Sequence, residues 1–366
     1  MLVEETLKQT PLFAVHRSLN ARMVPFGGWD MPLQYEGILA EYETTRRACA
    51  VFDTSHMGEF LVEGDHAQSG LDGLITCSLK DMPLKTCRYA TLLNAEGGVM
   101  DDLIVFRLAQ ERWFIVVNGA TTAKDANQFQ AHISKQAVFR NISQDLGKLD
   151  VQGPLAREVL KSLVPQIEKL SYYTFDEFVV LGEKVIVSRT GYTGELGYEI
   201  YFPWQKTPEL WNSIFKDKRV KPAGLGARDV LRLEMGYSLY GHELDETISP
   251  LEAGLEKFVD FNKDFIGKAA LLKQKQAGVK RKLVCFSSES RRSPRTGHKI
   301  YNADQQEIGL VTSGTFSPSL AKGIGMGLVV AGSGAKGEKI LFGDAHNTIS
   351  GEITARPFYK NSSLKN

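Results

Sequence analysis

Two adjacent aspartates stand inside an otherwise hydrophobic segment of this chain. Asp101 and Asp102 follow a turn signal at 94–98 and lie in Val-Met-Asp-Asp-Leu-Ile-Val-Phe at 99–106. Such a run predicts a buried β-strand, where a carboxylate is costly unless another group pairs with it. Because successive side chains of a strand point to opposite faces, at most one aspartate can face a given pocket. The pair indicates a site that needs a carboxylate, and the pattern leaves open which one serves it.

Two further segments combine charged and aromatic residues. Residues 188–200 read Ser-Arg-Thr-Gly-Tyr-Thr-Gly-Glu-Leu-Gly-Tyr-Glu-Ile, which predicts a tight connection and then a strand that places Glu199 opposite its two neighbours. Residues 224–241 are partly helical in pattern, with Arg228 and Arg232 on one helix face. Carboxylates, arginine and tyrosines together suit a flat ligand rich in heteroatoms. From spacing alone, structural ion pairs and turn tyrosines are the favoured interpretation.

The elements around the aspartates predict how such a site is assembled. Residues 87–94, 99–108 and 112–118 read as three consecutive strands joined by turns, which is a meander. If the meander forms, Tyr89 on the first strand and Asn118 after the third can reach the same pocket as one of the aspartates.

Two other segments bear on the organisation of the chain. Residues 25–32 hold two prolines and two glycines, which predicts an irregular loop packed on the body. Residues 273–282 are polar and basic and are interpreted as a domain boundary. Beyond them, short strands alternate with Gly, Ser and Pro turns, which predicts a small all-β sandwich or barrel.

The motifs of several enzyme classes are missing from the sequence. There is no G-x-x-x-x-G-K-[ST], no G-x-G-x-x-G after a strand, and neither G-x-S-x-G nor H-E-x-x-H. The four cysteines form no C-x-x-C pair and have no zinc spacing, which favours inert thiols. His56, in Asp-Thr-Ser-His-Met-Gly, admits a catalytic role, but a structural, hydrogen-bonded histidine is favoured.

The overall composition indicates a globular protein of ordinary hydrophobicity. The 366 residues are enough for two to three domains, and 43% of them are hydrophobic. A net charge of +1 argues against binding nucleic acid or a membrane surface through overall charge. Glu4 and Glu5 begin a segment without a signal-peptide pattern, and no apolar run is long enough to span a membrane. We therefore expect a cytoplasmic, prokaryotic protein.

These segments together resemble the glycine cleavage system T-protein family of aminomethyltransferases. The resemblance runs nearly end to end and includes Phe-Gly-Gly-Trp, Asp-Thr-Ser-His-Met-Gly, Gly-Gly-Val-Met-Asp-Asp-Leu and Thr-Gly-Tyr-Thr-Gly-Glu. The matching stretches are residues 10–13, 26–29, 31–33, 52–58, 94–103, 151–154, 190–199, 224–234, 239–241, 264–268, 312–318 and 357–359.

The resemblance implies a fold and an activity. The expected fold is α+β, a three-domain cloverleaf around a central folate channel with a C-terminal all-β, barrel-like domain. The implied domains are residues 1–52 with 137–270, residues 53–136, and residues 280–366. The implied reaction moves the methylene of an aminomethyl group from the lipoyl arm of H-protein to tetrahydrofolate, and it yields 5,10-methylenetetrahydrofolate, ammonia and dihydrolipoyl H-protein.

The resemblance also implies roles for individual residues. By position, Asp102 is the catalytic carboxylate that contacts the pterin nitrogens, and Asp101 faces away as a structural residue. Glu199 holds the amino edge of the pterin, with Arg228 beside it. Six more positions line the folate site: Tyr89, Asn118, Tyr172, Tyr173, Tyr192 and Tyr237. Tetrahydrofolate is then a substrate, and no metal, flavin or PLP is implied.

Partners and alternatives follow from the same resemblance. The implied partners are lipoylated H-protein and, functionally, glycine decarboxylase (P-protein) and dihydrolipoamide dehydrogenase, with no nucleic acid and no membrane. The basic residues of 273–282, with Arg291, Arg292 and Arg295, either dock acidic H-protein or form a solvated surface. Within the superfamily, a non-catalytic folate-binding protein is the alternative. The fused flavin enzymes need a dinucleotide domain, and the iron–sulfur maintenance proteins carry a Lys-Gly-Cys-Tyr-type motif; the sequence shows neither.

Overall fold

The structure is a computed structural model that describes residues 6–344 and 347–365. Glu4 and Glu5 lie outside the described residues. Three 3-10 turns are formed at Ile167–Lys169, Trp204–Lys206 and Glu256–Phe258. The α-helices are, in chain order, α1 (Phe13–Ser18), α2 (Ile38–Arg47), α3 (Leu71–Leu74), α4 (Thr122–His132), α5 (Ala156–Leu160), α6 (Thr207–Ile214), α7 (Leu225–Glu234) and α8 (Lys268–Ala277).

The strands form a hairpin, two larger sheets and a barrel. They are β1 (Arg22–Phe26), β2 (Trp29–Gln34), β3 (Cys49–Asp53), β4 (Gly58–Glu63), β5 (Cys87–Leu93), β6 (Val99–Ala109), β7 (Arg112–Val117), β8 (Val138–Asn141), β9 (Leu146–Gln152), β10 (Phe175–Val180), β11 (Glu183–Ser188), β12 (Gly197–Pro203), β13 (Val220–Pro222), β14 (Arg281–Ser288), β15 (Lys299–Tyr301), β16 (Glu307–Ser317), β17 (Lys322–Val330), β18 (Lys339–Gly343) and β19 (Thr348–Thr354).

The strand order defines three bodies. The first sheet runs β10-β11-β12-β9-β3-β13 and is antiparallel except for the pairing of β13 with β3. The second sheet runs β5-β6-β7-β4-β8, and its β5-β6-β7 part is the predicted meander. Strands β14 to β19 close into a barrel in the order β14-β17-β16-β15-β18-β19. The predicted α+β class with a C-terminal barrel is confirmed. Among the described residues, no helix is long and apolar enough to cross a bilayer.

The two sheets pack face to face, and this stacking sets where polar groups can meet. Phe106 and Phe114 of the second sheet contact Phe175 and Tyr201 of the first in one buried cluster. The outer face of the first sheet is covered by α5 and α6, and that of the second by α4, whose Phe129 is fully buried. Each sheet therefore has one apolar outer face and one inner face that meets the other sheet.

The prediction of an irregular loop at 25–32 is wrong. This segment belongs to the hairpin β1–β2, in which Phe26 pairs with Trp29 across Gly27 and Gly28. The two glycines have φ values of 56° and 84°, and this left-handed pair makes the two-residue turn that suits a hairpin. Both strands of an isolated ribbon are edge strands, and edges tolerate proline. The Pro and Gly residues that indicated a loop are here compatible with strands.

The predicted domain bounds stay a prediction, but two elements lie close to them. Strand β8, which follows residue 136, pairs with β4 of the second sheet rather than with the first. The basic segment 273–282, interpreted as a boundary, includes the last turns of α8 and the start of β14. Leu271 of α8 is buried at 1% exposure, which anchors this helix to the body.

One buried arginine ties several of these parts together. The Arg46 guanidinium of α2 donates to Glu195 Oε1 and to Glu234 Oε2, each at 2.7 Å. The Glu195 carboxylate also accepts the backbone N–H of Ser363 near the end of the chain at 2.9 Å. The Glu234 carboxylate, at the end of α7, accepts the hydroxyl of Ser317 from the barrel. A single cation thus joins α2, the loop before β12, α7, the barrel and the C-terminal segment.

We predict that Arg46→Leu destabilises the protein by about 3–5 kcal/mol, because it leaves two carboxylates buried without their cation. The free energy of unfolding in urea measures the effect. The matched control is Arg47→Leu one residue along, because the Arg47 side chain is 79% exposed and its contact with Glu43 is 3.9 Å long. We expect the control to change the free energy by less than about 0.5 kcal/mol. Equal effects of the two substitutions would contradict the argument.

Candidate functional site

Asp102 lies on β6 at the inner face of the second sheet. Its Oδ2 accepts the Tyr89 hydroxyl from β5 at 2.9 Å, and its Oδ1 accepts the Asn118 side-chain amide at 2.9 Å. The Asp102 side chain is partly exposed, whereas its neighbour Asp101 is fully buried. The meander therefore brings together Tyr89, Asp102 and Asn118, as the sequence predicts.

Asp101 points to the other face of the strand, toward α4. Its carboxyl group accepts the Asn118 backbone N–H at 3.0 Å and the Asn118 side-chain amide at 2.8 Å. It is also in hydrogen-bonding contact with the carboxyl group of Asp125, which lies in the first turn of α4 and is fully buried. Burial and the Asp125 carboxyl raise the pKa of Asp101 well above its usual range. Asn118 thus touches both aspartates, although they occupy opposite faces.

The surroundings of Asp102 raise its pKa toward neutral pH. Burial, followed by the charge that Asp101 carries when it is ionised, raises the pKa of Asp102 to about 7, and the hydrogen bonds from Tyr89 and Asn118 oppose that rise. A carboxyl group with this pKa exists in both protonation states near neutral pH. A small change in its surroundings, such as a bound cationic or hydrogen-bonding ligand, then changes its charge.

Glu199 lies on β12, on the inner face of the first sheet. Its carboxylate accepts the Lys148 ammonium at 2.8 Å and the Thr190 hydroxyl at 2.6 Å. Its neighbours Tyr198 and Ile200 belong to the core on the outer face. The prediction that Glu199 lies opposite these two residues is confirmed.

Arg228 joins this group from the first half of α7. It donates to Asp150 Oδ2 at 2.7 Å, and Lys148 lies 3.1 Å from the other oxygen of the same carboxylate. Burial favours a neutral Asp150, but the charges of Lys148 and Arg228 outweigh it and lower its pKa to about 2. Arg232, on the same helix face, turns instead to Glu243 at 3.0 Å and to the barrel residue Ser313. Only the first arginine of the pair belongs to the site.

The predicted tyrosines connect the two groups of charges. Tyr192 and Tyr237 stack with ring centroids 5.7 Å apart, and the Arg228 guanidinium lies 5.0 Å from the Tyr192 ring. Tyr172 and Tyr173 meet edge to face at 4.8 Å, and the hydroxyl of Tyr172 is hydrogen-bonded to that of Tyr237. All four are partly exposed, so the structure brings together an accessible aromatic wall.

A cavity of about 480 Å³ adjoins this wall. It is lined by Tyr89 and Tyr173 and by Lys257 and Phe258, which lie between α7 and α8. The Phe258 ring packs on Tyr89 with centroids 4.7 Å apart. This volume is within the range of pockets that hold small organic ligands.

His56 is buried beside the site and is neutral at physiological pH. Burial lowers its pKa to about 4. Its ring meets Phe26 edge to face at 5.6 Å, and its Nδ1 has no hydrogen-bond partner among residues 6–344 and 347–365. The sequence favoured a structural, hydrogen-bonded histidine, and at Nδ1 the described residues provide no such hydrogen bond.

Three charged residues of the inner faces are missing from the sequence prediction. Lys148 and Asp150 connect Glu199 to Arg228. In the sequence they are polar residues two positions apart on β9, and Gln152 continues the same alternation. Such alternation reads as a half-exposed strand, but here all three side chains are buried. The third is Glu59.

Glu59 on β4 is fully buried, and in the described part of the chain neither of its carboxylate oxygens has a hydrogen-bond partner. Burial raises its pKa well above the usual 4.5; the nearby Lys148 opposes the rise and Glu199 adds to it. Folding therefore favours the neutral form of Glu59.

Comparison with known proteins places these observations in a family. A family model described as the GCVT N-terminal domain matches residues 12–263, and one described as the glycine cleavage T-protein C-terminal barrel domain matches residues 281–360. A protein of Halothermothrix orenii named aminomethyltransferase is 42% identical over 96% of this chain and 100% of its own length. One of Pseudothermotoga lettingae with the same name is 42% identical over 97% and 99%. The crystal structure of glycine cleavage system aminomethyltransferase T from Bartonella henselae superposes with a TM-score of 0.92, at 31% identity over 98% of this chain and 99% of that one.

We predict that Glu59→Gln stabilises the protein at pH 7 and that the gain disappears toward pH 4.5. A carboxyl group whose pKa is raised by folding stabilises the native state only below its unfolded pKa, and it costs about 1.4 kcal/mol for each pH unit above that value. The gain at pH 7 is therefore up to about 3 kcal/mol. Urea unfolding of both proteins across this pH range measures it.

The control is Glu63→Gln on the same strand, because the Glu63 side chain is 42% exposed. We expect the control to show no such growth of the difference with pH. A Glu59→Gln difference that stays constant from pH 4.5 to pH 7 would show that Glu59 is ionised in the folded protein.

Proposed function

Because the chain belongs to the glycine cleavage T-protein family, we propose that it transfers the methylene of the aminomethyl group on the lipoyl arm of H-protein to tetrahydrofolate. The curated relatives carry the name aminomethyltransferase over nearly the full length of this chain, and the chain is an enzyme of that class. The products of the proposed reaction are 5,10-methylenetetrahydrofolate, ammonia and dihydrolipoyl H-protein.

The observation that carries the proposal is the setting of Asp102. A partly exposed carboxyl group stands between a tyrosine hydroxyl and an asparagine amide, and its pKa is raised to about 7. Tyr89, whose hydroxyl donates to Asp102, lines a cavity of suitable volume together with Tyr173 of the aromatic wall. This arrangement suits a flat, hydrogen-bonding ligand whose nitrogen gains positive charge during the reaction.

The proposed reaction exchanges two bonds of one carbon atom. The methylene carbon loses its bonds to sulfur and to the amino nitrogen, and it gains bonds to N5 and N10 of tetrahydrofolate. The two protons that leave these nitrogens end on the sulfur and on the released ammonia, so atoms and charge balance. Asp102 accepts a hydrogen bond from the attacking pterin system, orients it and stabilises the positive charge that develops on nitrogen.

The inner face of the first sheet supplies the proposed pterin clamp. Glu199 receives the amino edge of the pterin, and Arg228 lies beside it. Both are already held by buried partners, Glu199 by Lys148 and Arg228 by Asp150, at 2.8 and 2.7 Å. A carboxylate has about four acceptor sites. Glu199 uses three of them for Lys148, Thr190 and the Tyr201 hydroxyl, which donates at 3.3 Å, so one site is left for a ligand. The tyrosines Tyr172, Tyr173, Tyr192 and Tyr237, with Tyr89 and Asn118, complete the proposed folate site.

The proposed partners follow from the reaction. Lipoylated H-protein delivers the aminomethyl group, glycine decarboxylase loads it, and dihydrolipoamide dehydrogenase reoxidises the released arm; the proposed setting is the prokaryotic cytoplasm. A reconstituted assay with these partners, glycine and tetrahydrofolate tests the proposal. We expect ammonia release that depends on tetrahydrofolate. A protein that binds tetrahydrofolate and releases no ammonia would instead be a non-catalytic folate-binding protein.

We predict that Asp102→Asn lowers kcat by about a hundredfold or more, the range found when a group that stabilises transition-state charge is removed. Tetrahydrofolate affinity, measured by calorimetry, falls much less because the pterin clamp is intact. The matched variant is Asp101→Asn, which we expect to lower the unfolding free energy more than it lowers kcat. Equal losses of kcat in the two variants would contradict the separate roles of the two aspartates.

We predict that H-protein docks on the basic surface around 273–282. Lys273 and Lys280 are exposed there, and among the described residues neither is in a salt bridge. Their joint replacement by glutamine removes two exposed attractions and should raise the KM for H-protein about fivefold, with less salt dependence. The control, Lys216→Gln with Lys218→Gln on another exposed surface, carries the same charge change. A KM for H-protein that is independent of salt in the wild type would contradict docking by charge.

A further inference from the structure

A third carboxyl group, that of Asp125, lies behind Asp101 and Asp102 and has no part in the proposed chemistry. Asp125 is fully buried in the first turn of α4, and its carboxyl group is in hydrogen-bonding contact with that of Asp101, which is also fully buried. In the described part of the chain no N–H or O–H makes a hydrogen bond of good geometry to either oxygen of Asp125, although the nearby Thr121 hydroxyl lowers the pKa of this carboxyl group. Two buried carboxyl groups thus touch each other.

Among the described residues, no cation forms a salt bridge with Asp101 or Asp125. The Lys124 ammonium, whose charge acts on Asp125, donates to the Tyr240 hydroxyl at 2.8 Å and to Glu246 at 2.7 Å. The Thr121 hydroxyl donates to the Asn118 carbonyl oxygen at 3.0 Å and also lies close enough to Asp125 to lower its pKa. Two carboxylates that touch in a buried site cannot both be ionised, so the contact requires a proton between them.

The surroundings favour Asp101 as the holder of that proton. Asp125 lies near the N-terminal end of α4, where the helix dipole favours an anion, and the charge of Lys124 acts in the same sense. The pKa of Asp101 is raised well above its usual range, and that of Asp125 only to about 6. The negative charge of the Asp101–Asp125 pair is therefore placed on Asp125, which lies behind Asp101 as seen from the site.

We propose that Asp125 is a positioning residue for Asp102, because it shares one proton with Asp101 and so keeps the carboxyl group next to Asp102 neutral. This inference rests on the proposed function only in its kinetic readout. Asn118 is the physical link, because its single side-chain amide donates to Asp101 at 2.8 Å and to Asp102 at 2.9 Å. An ionised Asp101 would compete for that amide, and its charge would raise the pKa of Asp102; a proton on Asp101 removes both effects.

Other ionisable groups face the three aspartates and are unchanged by the test. Tyr89 and Tyr192 face Asp102, and Tyr240 and Lys124 face Asp101 and Asp125. The pKa values of the three tyrosines are raised by burial, so these groups are neutral near pH 7. The charge nearest to Asp102 within this group is consequently that of the Asp101–Asp125 pair.

The pH dependence of kcat in the reconstituted assay tests the proposal with three variants. In Asp125→Asn the amide donates to Asp101, which ionises beside Asp102, and we expect the acid limb of the profile to move up by about one pH unit. In Asp101→Asn the neutral group and the Asp125 charge stay where they were, and we expect the limb to remain in place. The double variant removes the charge of the pair and should move the limb below that of the wild type.

An infrared measurement reads the proton without turnover. With 13C at the aspartate carboxyl carbons, the wild type should show a protonated aspartic acid band about one pH unit above the pKa of Asp102. The band should persist in Asp102→Asn and be absent in both Asp125→Asn and Asp101→Asn. Because this readout needs no substrate, it decides the proposal even if the aminomethyl transfer is not observed, or if one of the two variants does not fold.

Two results would overturn the proposal. The first is a wild-type protein without a protonated aspartic acid band. The second is an acid limb that stays in place in Asp125→Asn and moves down in Asp101→Asn, because that pattern places the proton on Asp125 and the charge on Asp101. A residue with a purely structural role would change the unfolding free energy and leave both the band and the limb unchanged.

Discussion

The cost of burying charge is the constraint on which the arrangement of this protein depends. The inner faces of the two sheets meet in an aromatic cluster, yet the first sheet also carries Lys148, Asp150 and Glu199 on that face. A fully buried ammonium is tolerated only with close counter-charges, and Lys148 has two carboxylates within 3.1 Å. Arg228 balances the second charge of the set. The proposed pterin clamp is thus a set of ion pairs that already satisfy one another.

The same constraint joins the outer parts of the fold. Arg46 is buried with two carboxylates at 2.7 Å, and each of these carboxylates takes a further hydrogen bond from another segment, one from the barrel and one from the C-terminal residues. Because no partner of such a cluster can leave without exposing an unpaired buried charge, the cluster fixes relative positions more strictly than apolar contacts do. It is therefore a means of holding α7, and with it Arg228, against the first sheet.

The sequence predicts the parts of this structure that follow from local pattern. The meander, the side of β12 that bears Glu199 and the C-terminal barrel all depend on two-residue alternation and turn residues, and the structure has them. The hairpin at 22–34 was not predicted, because Gly and Pro indicate both loops and hairpin turns. Lys148 and Asp150 were missed for a different reason. Alternating polar residues normally face water, and only tertiary pairing shows that these are buried.

The twin aspartates show where local pattern ends and tertiary structure decides. Alternation sends Asp101 and Asp102 to opposite faces, and the structure gives the two faces different surroundings: a partly exposed one with Tyr89, and a sealed one with Asp125. The two side chains lie on opposite faces of β6, but Asn118, directly after the neighbouring strand β7, donates to both. Their protonation states are therefore coupled, and the buried face can influence the exposed one. When two adjacent carboxyl groups lie on one strand, one can face the site while the protonation state of the other, on the buried face, changes its pKa.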